Sequence, residues 1–151
     1  AFANELSIIC EKEKIDVWEL IGLTNRHPRV NILNPGPGVG GHCIAVDPWF
    51  IVNSNQKDAN IIKKAREVNL YKTKWVFEKI KKTALEFEKE YARKPKIACM
   101  GLAYKADVDD CRESPSIEIV NYLARDDFNV IAVEPNIKTH DYINLHYPQF
   151  K

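Results

Sequence analysis

From Lys57 to Arg93 the chain holds neither glycine nor proline, and Ile61, Ala65, Val68, Val76, Ile80, Ala84, Phe87 and Tyr91 recur along it at helical steps, with one lapse at Lys72. That spacing keeps one face apolar on a 3.6-residue period and predicts a single long helix. At about 1.5 Å per residue it would run roughly 55 Å, too long for one small domain, so it is expected to bridge domains or pack against a second subunit. Lys94 and Pro95 end it, since proline cannot continue a helix.

The remaining segments are read against that helix. Residues 1–25 place Phe2, Leu6, Ile9, Val17, Leu20 and Ile21 close to helical spacing, which predicts two short helices joined near Asp16. The stretch from Arg26 to Asn55 carries four of the six glycines and four of the eight prolines, and it reads as loop. After Pro95 come an apolar run, Lys96 to Tyr104, a helix starting at Ser114-Pro115, and a second run, Asn129 to Val133. Serine at the N-cap can accept an orphan N–H, and proline at the first helical position lacks one. Ile117, Ile119, Val120 and Leu123 supply the buried face of that helix. Strand, helix, strand is the first unit of a Rossmann-like sheet.

Composition narrows the class. With 45% hydrophobic and 28% charged residues the chain buries an ordinary core, and its 151 residues suffice for one domain or slightly more. Lys and Arg total 22 against 21 Asp and Glu, so no charge excess draws it to nucleic acid or to a membrane surface. No apolar stretch reaches the roughly 20 residues that span a bilayer. Cys10, Cys43, Cys99 and Cys111 contain no C-x-x-C pair and make a poor disulfide framework, which points to a reducing cytoplasm. The chain opens inside a helical pattern and stops soon after a strand, so it reads as a piece of a longer protein.

The sequence NPGPGVGGHCIAVDPWF, Asn34 to Phe50, is the strongest local signal. Gly36, Gly38 and Gly41 formally satisfy G-x-G-x-x-G, but a dinucleotide fingerprint needs a helix after its third glycine, and HCIAVDP reads against one. Glycines here let backbone approach a ligand closely. Cys43 is either a small buried hydrophobe, the commoner fate of a free cysteine, or an approachable nucleophile with Asp47 as its acid-base partner. A metal held by His42, Cys43 and Asp47 is disfavoured, because neighbouring residues in extended chain point apart. His27 alone reads as a solvated loop residue. In GLAYKADVDDCRESPS, Gly101 to Ser116, Lys105 and Arg112 lie between a strand end and a helix start, where open α/β sheets bind anions. They either hold a phosphate there or pair with Asp107, Asp109, Asp110 or Glu113.

Together GPGVGGHCIAVDP, AREVN (Ala65 to Asn69) and GLAYKADVDDCRESPS resemble the UDP-glucose/GDP-mannose dehydrogenase family, which oxidises UDP-sugars with NAD. GGHCIAVDPWF with AFANELSIIC before it looks closest to the branch acting on UDP-N-acetylmannosamine. The resemblance implies an α/β protein: a central helical dimerisation domain over 1–93, with a catalytic-cysteine loop (26–55) and the long helix (57–93), then a truncated Rossmann-like UDP-binding domain over 94–151. It implies NAD as cofactor, a UDP-sugar substrate and a homodimer or higher homo-oligomer. By position Cys43 matches the nucleophile and Asp47 its assisting carboxylate. His27, Arg29, Gly40, Tyr104 and Lys105 look like substrate contacts, and Arg112 like an arginine that reaches NAD. The family's NAD domain, with a lysine and an asparagine, would precede Ala1, so the 151 residues alone are expected to be inactive. Other readings are a non-catalytic nucleotide-sugar binding or dimerisation module, and a dehydrogenase for UDP-N-acetylglucosamine or UDP-glucose.

Overall fold

The computed structural model describes residues 1–136; the last part of the expected second domain, 137–151, lies outside the described residues. In order come α1 (Phe2–Lys12), α2 (Val17–Thr24), α3 (His42–Ser54), α4 (Asn60–Tyr91), β1 (Lys96–Met100), α5 (Pro115–Arg125) and β2 (Asn129–Val133). None of these helices is long and apolar enough to cross a membrane. The joint expected near Asp16 is there: its carboxylate accepts the N–H groups of Trp18 (2.8 Å) and Glu19 (3.3 Å) and starts α2.

The long helix is α4, 32 residues and so about 48 Å. Its buried face is not the uniform apolar stripe that the spacing suggests. The first half buries Arg66, Asn69, Lys72 and Thr73, and the second half Phe77 and Ala84, while Ile61 and Tyr91 at the two ends are exposed. The polar half lies against α1, with Asn4 on Asn69, Ser7 on Lys72 and Glu11 on Lys79 advancing together along both helices. The apolar half packs on α5, where Phe77, Ile119 and Leu123 form a core joined by Val76, Ile80 and Tyr122. The Phe77 and Tyr122 rings meet at 5.3 Å with planes tilted by 51°.

β1 and β2 pair in parallel with Lys96 opposite Asn129 and Met100 opposite Val133, and α5 crosses between them. Leu102, Val120 and Ala132 fill the space under that crossover. Pro115 opens α5 as expected, but the Ser114 hydroxyl makes no capping bond; it donates to the Leu102 carbonyl at 2.6 Å. Ser114 is buried, and a buried carbonyl at the turn after β1 needs a donor.

The expected loop over 26–55 holds only to Gly41, since His42–Ser54 is helical with Pro48 inside. One proline forfeits a single bond, here to the Ile44 carbonyl, and packing of α3 on α4 with Ala45 buried outweighs that loss and the β-branched residues' reluctance.

Candidate active site

Sequence places the cysteine segment and the segment after β1 some sixty residues apart; the fold presses them together. Gly40 is the point of closest approach. A Cβ there would stand 2.6 Å from the Glu113 carbonyl oxygen and 2.7 Å from the Tyr104 Cβ, so only glycine fits. Gly41 has φ +86, a left-handed value, and a Cβ on it would meet the Tyr104 ring at 3.0 Å. Its N–H donates to the Arg112 carbonyl at 3.0 Å.

Directly after this contact the chain turns into α3. Gly41 is the N-cap and Cys43 lies in the first turn, exposed. That turn carries backbone N–H groups without intrahelical acceptors and the positive end of the helix dipole, which favours negative charge on a group held beside it. Asp47 follows one turn later, so the two side chains share a face, and it too is exposed. Helical geometry thus removes the expectation that neighbours here point apart. Among the described residues no three His, Cys, Asp or Glu side chains gather where a metal could sit.

The same geometry changes the ground for rejecting the G-x-G-x-x-G pattern. A helix does follow Gly41, but no strand among the described residues precedes it, and the pattern's second and third glycines are packed on protein, Gly38 against Thr73 and Pro115 and Gly41 against Tyr104. The first turn of the Rossmann-like unit is closed as well. After β1, the N–H groups of Leu102 (2.7 Å) and Ala103 (3.0 Å) donate to the Glu134 carboxylate at the end of β2. Burial alone would raise the Glu134 pKa, but the N–H groups of Ala103, Asn136 and Leu102 outweigh it and hold the carboxyl below its ordinary range.

Arg112 is oriented by Asp110. Its Nε donates to both carboxylate oxygens, at 3.0 and 3.1 Å, and its Nη2 donates at 2.7 Å. These side-chain bonds, joined by one from the Arg112 backbone N–H, hold the Asp110 carboxyl at about 2. Arg112 remains two-thirds exposed, at 65%, so the guanidinium donors that Asp110 does not take can still reach a ligand. Cys43, Tyr104 and Asp110 all act electrostatically on it, which places the cysteine and the arginine in one neighbourhood. Lys105 is exposed on the same turn as Tyr104.

His27 and Arg29 stand on the turn after α2. The Arg29 N–H donates to His27 Nδ1 at 3.2 Å, and Asn25 pins the turn by exchanging two bonds with Ile32. Among the described residues no hydrogen bond or ion pair joins the two to Cys43 or Arg112. The fold thus brings Gly40 and Gly41 against Tyr104 and the Arg112 backbone, with Cys43 and Asp47 in the helix that follows and Lys105 next to Tyr104, while His27 and Arg29 stand on a different turn.

Sequence reasoning missed the polar supports. Asn4, Asn69, Ser7 and Lys72 are buried between α1 and α4, and Glu134 closes the turn after β1. The signals were polar residues inside helical apolar patterns, Lys72 the plainest, and an acid directly after the second strand.

The central-domain profile of the UDP-glucose/GDP-mannose dehydrogenase family matches residues 1–71, and that family's UDP-binding-domain profile matches residues 98–149. A UDP-N-acetyl-D-mannosamine dehydrogenase of Campylobacter jejuni is 61% identical over 139 residues, 91% of this chain and 33% of that protein. An NDP-N-acetyl-D-galactosaminuronic acid dehydrogenase of Ralstonia solanacearum is 55% identical over 139 residues, 91% of this chain and 32% of its own length. A solved UDP-N-acetyl-mannosamine dehydrogenase from S. aureus superposes with a TM-score of 0.78 at 41% identity, over 92% of this chain and 32% of that one. The chain spans about a third of the length of these relatives. With both profiles falling on the two halves that meet at Gly40, the chain belongs to the UDP-glucose/GDP-mannose dehydrogenase family.

Proposed function

We propose that this chain is the catalytic-loop and UDP-binding part of an NAD-dependent UDP-sugar 6-dehydrogenase. It acts in the cytoplasm and oxidises UDP-N-acetyl-D-mannosamine to UDP-N-acetyl-D-mannosaminuronate. The observation that carries this reading is Cys43, an exposed thiol in the first turn of α3, beside a glycine loop packed on Tyr104 and tied to the Arg112 carbonyl. An open cysteine in that setting suits covalent capture of a carbonyl group.

The sugar's primary alcohol is first oxidised to an aldehyde. The Cys43 thiolate then adds to the aldehyde carbon, and the new oxygen takes up a proton, forming a thiohemiacetal. Loss of a hydride from that carbon and of the hydroxyl proton leaves a thioester. Water, with Asp47 taking its proton, attacks the thioester carbon, the C–S bond breaks, and the carboxylate leaves with the thiol restored. NAD, when bound, supplies the acceptor for each of the two hydrides. Arg112 is the residue of this chain that would hold it, since its exposed guanidinium keeps donors beyond those on Asp110 and its charge suits a phosphate. Tyr104 and Lys105 bind the UDP part, and Gly40 lets the loop approach the sugar. His27 and Arg29, set apart on their turn, contact substrate at a neighbouring subunit's site, so the working form is a homodimer or larger assembly built on α4. The 55% identical relative named for an N-acetylgalactosaminuronic acid keeps a sister 2-acetamido sugar as the second choice of substrate.

The test is NAD reduction by a protein extended to the relatives' length. With UDP-N-acetyl-D-mannosamine the wild type should form two NADH per sugar, and Cys43→Ser should lose the second oxidation. The 151 residues alone should form none. Failure of the extended wild type, or a full two NADH from Cys43→Ser, would overturn the reading.

A further inference from the structure

We infer that Asn4 is a positioning residue for Cys43, acting through the backbone of Gly36; the role rests on the reading of Cys43 as nucleophile given above. Asn4 lies on α1, far from the cysteine in sequence, and is 4% exposed. Both ends of its amide are used. The Oδ1 accepts the Gly36 N–H at 2.9 Å, and the Nδ2 donates to Oδ1 of Asn69 on α4 at 3.0 Å. Asn69, itself 6% exposed, thereby fixes which way the Asn4 amide faces.

Gly36 opens the loop that ends at Cys43. With no ladder or helix to supply an acceptor, its N–H depends on a side chain from another element. The loop's other end is held by the bond from the Gly41 N–H to the Arg112 carbonyl. Between these two fixed points Gly40 presses on Tyr104 and Glu113 without room for a Cβ. A short segment pinned at both ends can deliver the next residues, His42 and Cys43, to one place only. Releasing the first pin lets slack run toward Cys43 while leaving the second unit untouched. A displacement of about 1 Å at a reacting atom can cost on the order of a hundredfold in rate. The neighbouring bond from Lys72 Nζ to Ser7 Oγ, at 2.8 Å, joins the same two helices without reaching a loop atom, so cohesion of α1 and α4 does not by itself require an amide at position 4.

The experiment uses a protein extended to the relatives' length, with UDP-N-acetyl-D-mannosamine and NAD. Asn4→Ala should lower kcat about tenfold or more with KM for the sugar nucleotide changed less than about twofold, because the UDP contacts lie on the other unit. Asn4→Asp keeps an acceptor for Gly36 and should recover most of the rate. Phe77→Leu, in the core under α5, should lower Tm without lowering kcat. In the 151-residue protein, amide exchange at Gly36 should be slow in the wild type and fast in Asn4→Ala, with β1 and β2 amides unaffected. An Asn4→Ala kcat no lower than that of Phe77→Leu overturns the inference, as does a Gly36 amide that exchanges freely in the wild type. An extended wild type with no activity overturns the proposed function instead, and Gly36 exchange then still decides whether Asn4 pins the loop.

Discussion

Cys43 stands open at the start of α3, whereas Cys111, on the loop before α5, is pushed up to about 11, by burial first and then by the carboxylates of Glu134 and Asp110. Burial also pushes the Cys99 thiol up, and Cys10 sits on the buried face of α1, 3% exposed. The thiolate is the reactive form, so these surroundings set one open thiol apart from three that are partly or fully buried. At pH 8 iodoacetamide should label Cys43 first and leave Cys111 largely unmodified, as followed by peptide mass spectrometry; equal labelling of the two would refute this. A thiol with a raised folded value stabilises the fold fully below its ordinary value, so the Cys111 contribution is lost as pH climbs from 9 toward about 11. At this scale the sequence singles out Cys43 and Asp47 because a cysteine after Gly-Gly-His in a proline-rich stretch is chemically conspicuous. The approach of Gly40 and Gly41 just before them to Tyr104 and the Arg112 backbone is not visible in the sequence, because it depends on the missing Cβ of Gly40 meeting a loop that sequence cannot place beside it. Asn4 was invisible for a related reason: one amide in a helical pattern has no local signature, and its purpose lies in Gly36.

Among the elements, α4 shows what periodicity can and cannot reveal. Its existence and extent followed from spacing alone, yet the lapse at Lys72 proved to be a buried position, 6% exposed. The Lys72 ammonium donates to Ser7 Oγ at 2.8 Å and sits 4.0 Å from the Trp75 ring centroid, so partners on two sides offset part of its lost hydration. Burial lowers its pKa, with Glu11 opposing and Lys79 adding to the effect. A buried charge is weak evidence for stability, since an apolar side chain of similar volume often does as well or better. Lys72→Met keeps the packed stem, and Ser7 retains its own bond to the Asn4 carbonyl at 2.7 Å. Its Tm should equal or exceed that of the wild type at neutral pH, whereas Lys72→Ala should lose about 2–3 kcal/mol by leaving a cavity. Because the folded state holds the Lys72 proton less tightly than the unfolded state, the wild type should gain on Lys72→Met as pH rises toward 10.5. Thermal melts from pH 7 to 10 check both, and a methionine variant as unstable as the alanine one would show that the charge itself stabilises the helix pair. α3 was the element misread. Pro48 and the β-branched residues are local signals, and burial of Ala45 on α4 is a tertiary one that outweighed them.

In the whole molecule α4 serves three neighbours at once, with α1 along its polar first half, α5 on its apolar second half, and α3 packed on it as well. Those contacts do not cover it. Leu70, Tyr71 and Leu85 remain about half exposed, and at about 100° per residue they fall within one arc of roughly 100° beside the buried face. On this helix of about 48 Å those three side chains alternate with Lys63, Glu67, Lys74, Glu78 and Lys81 in the same arc, a mixed apolar and charged face that a two-fold axis would set against its own copy. Under the proposed function this is the surface that brings His27 and Arg29 of one subunit toward the cysteine of another. Light scattering behind size exclusion should then give the 151-residue protein a mass double its 17.4 kDa. Tyr71→Lys combined with Leu85→Lys should return it to the monomer mass with its helical circular dichroism intact, because neither side chain is buried in the subunit's own core. A wild type that stays monomeric at every concentration, or a double variant that still dimerises, would mean that this face of α4 is not where a second copy docks.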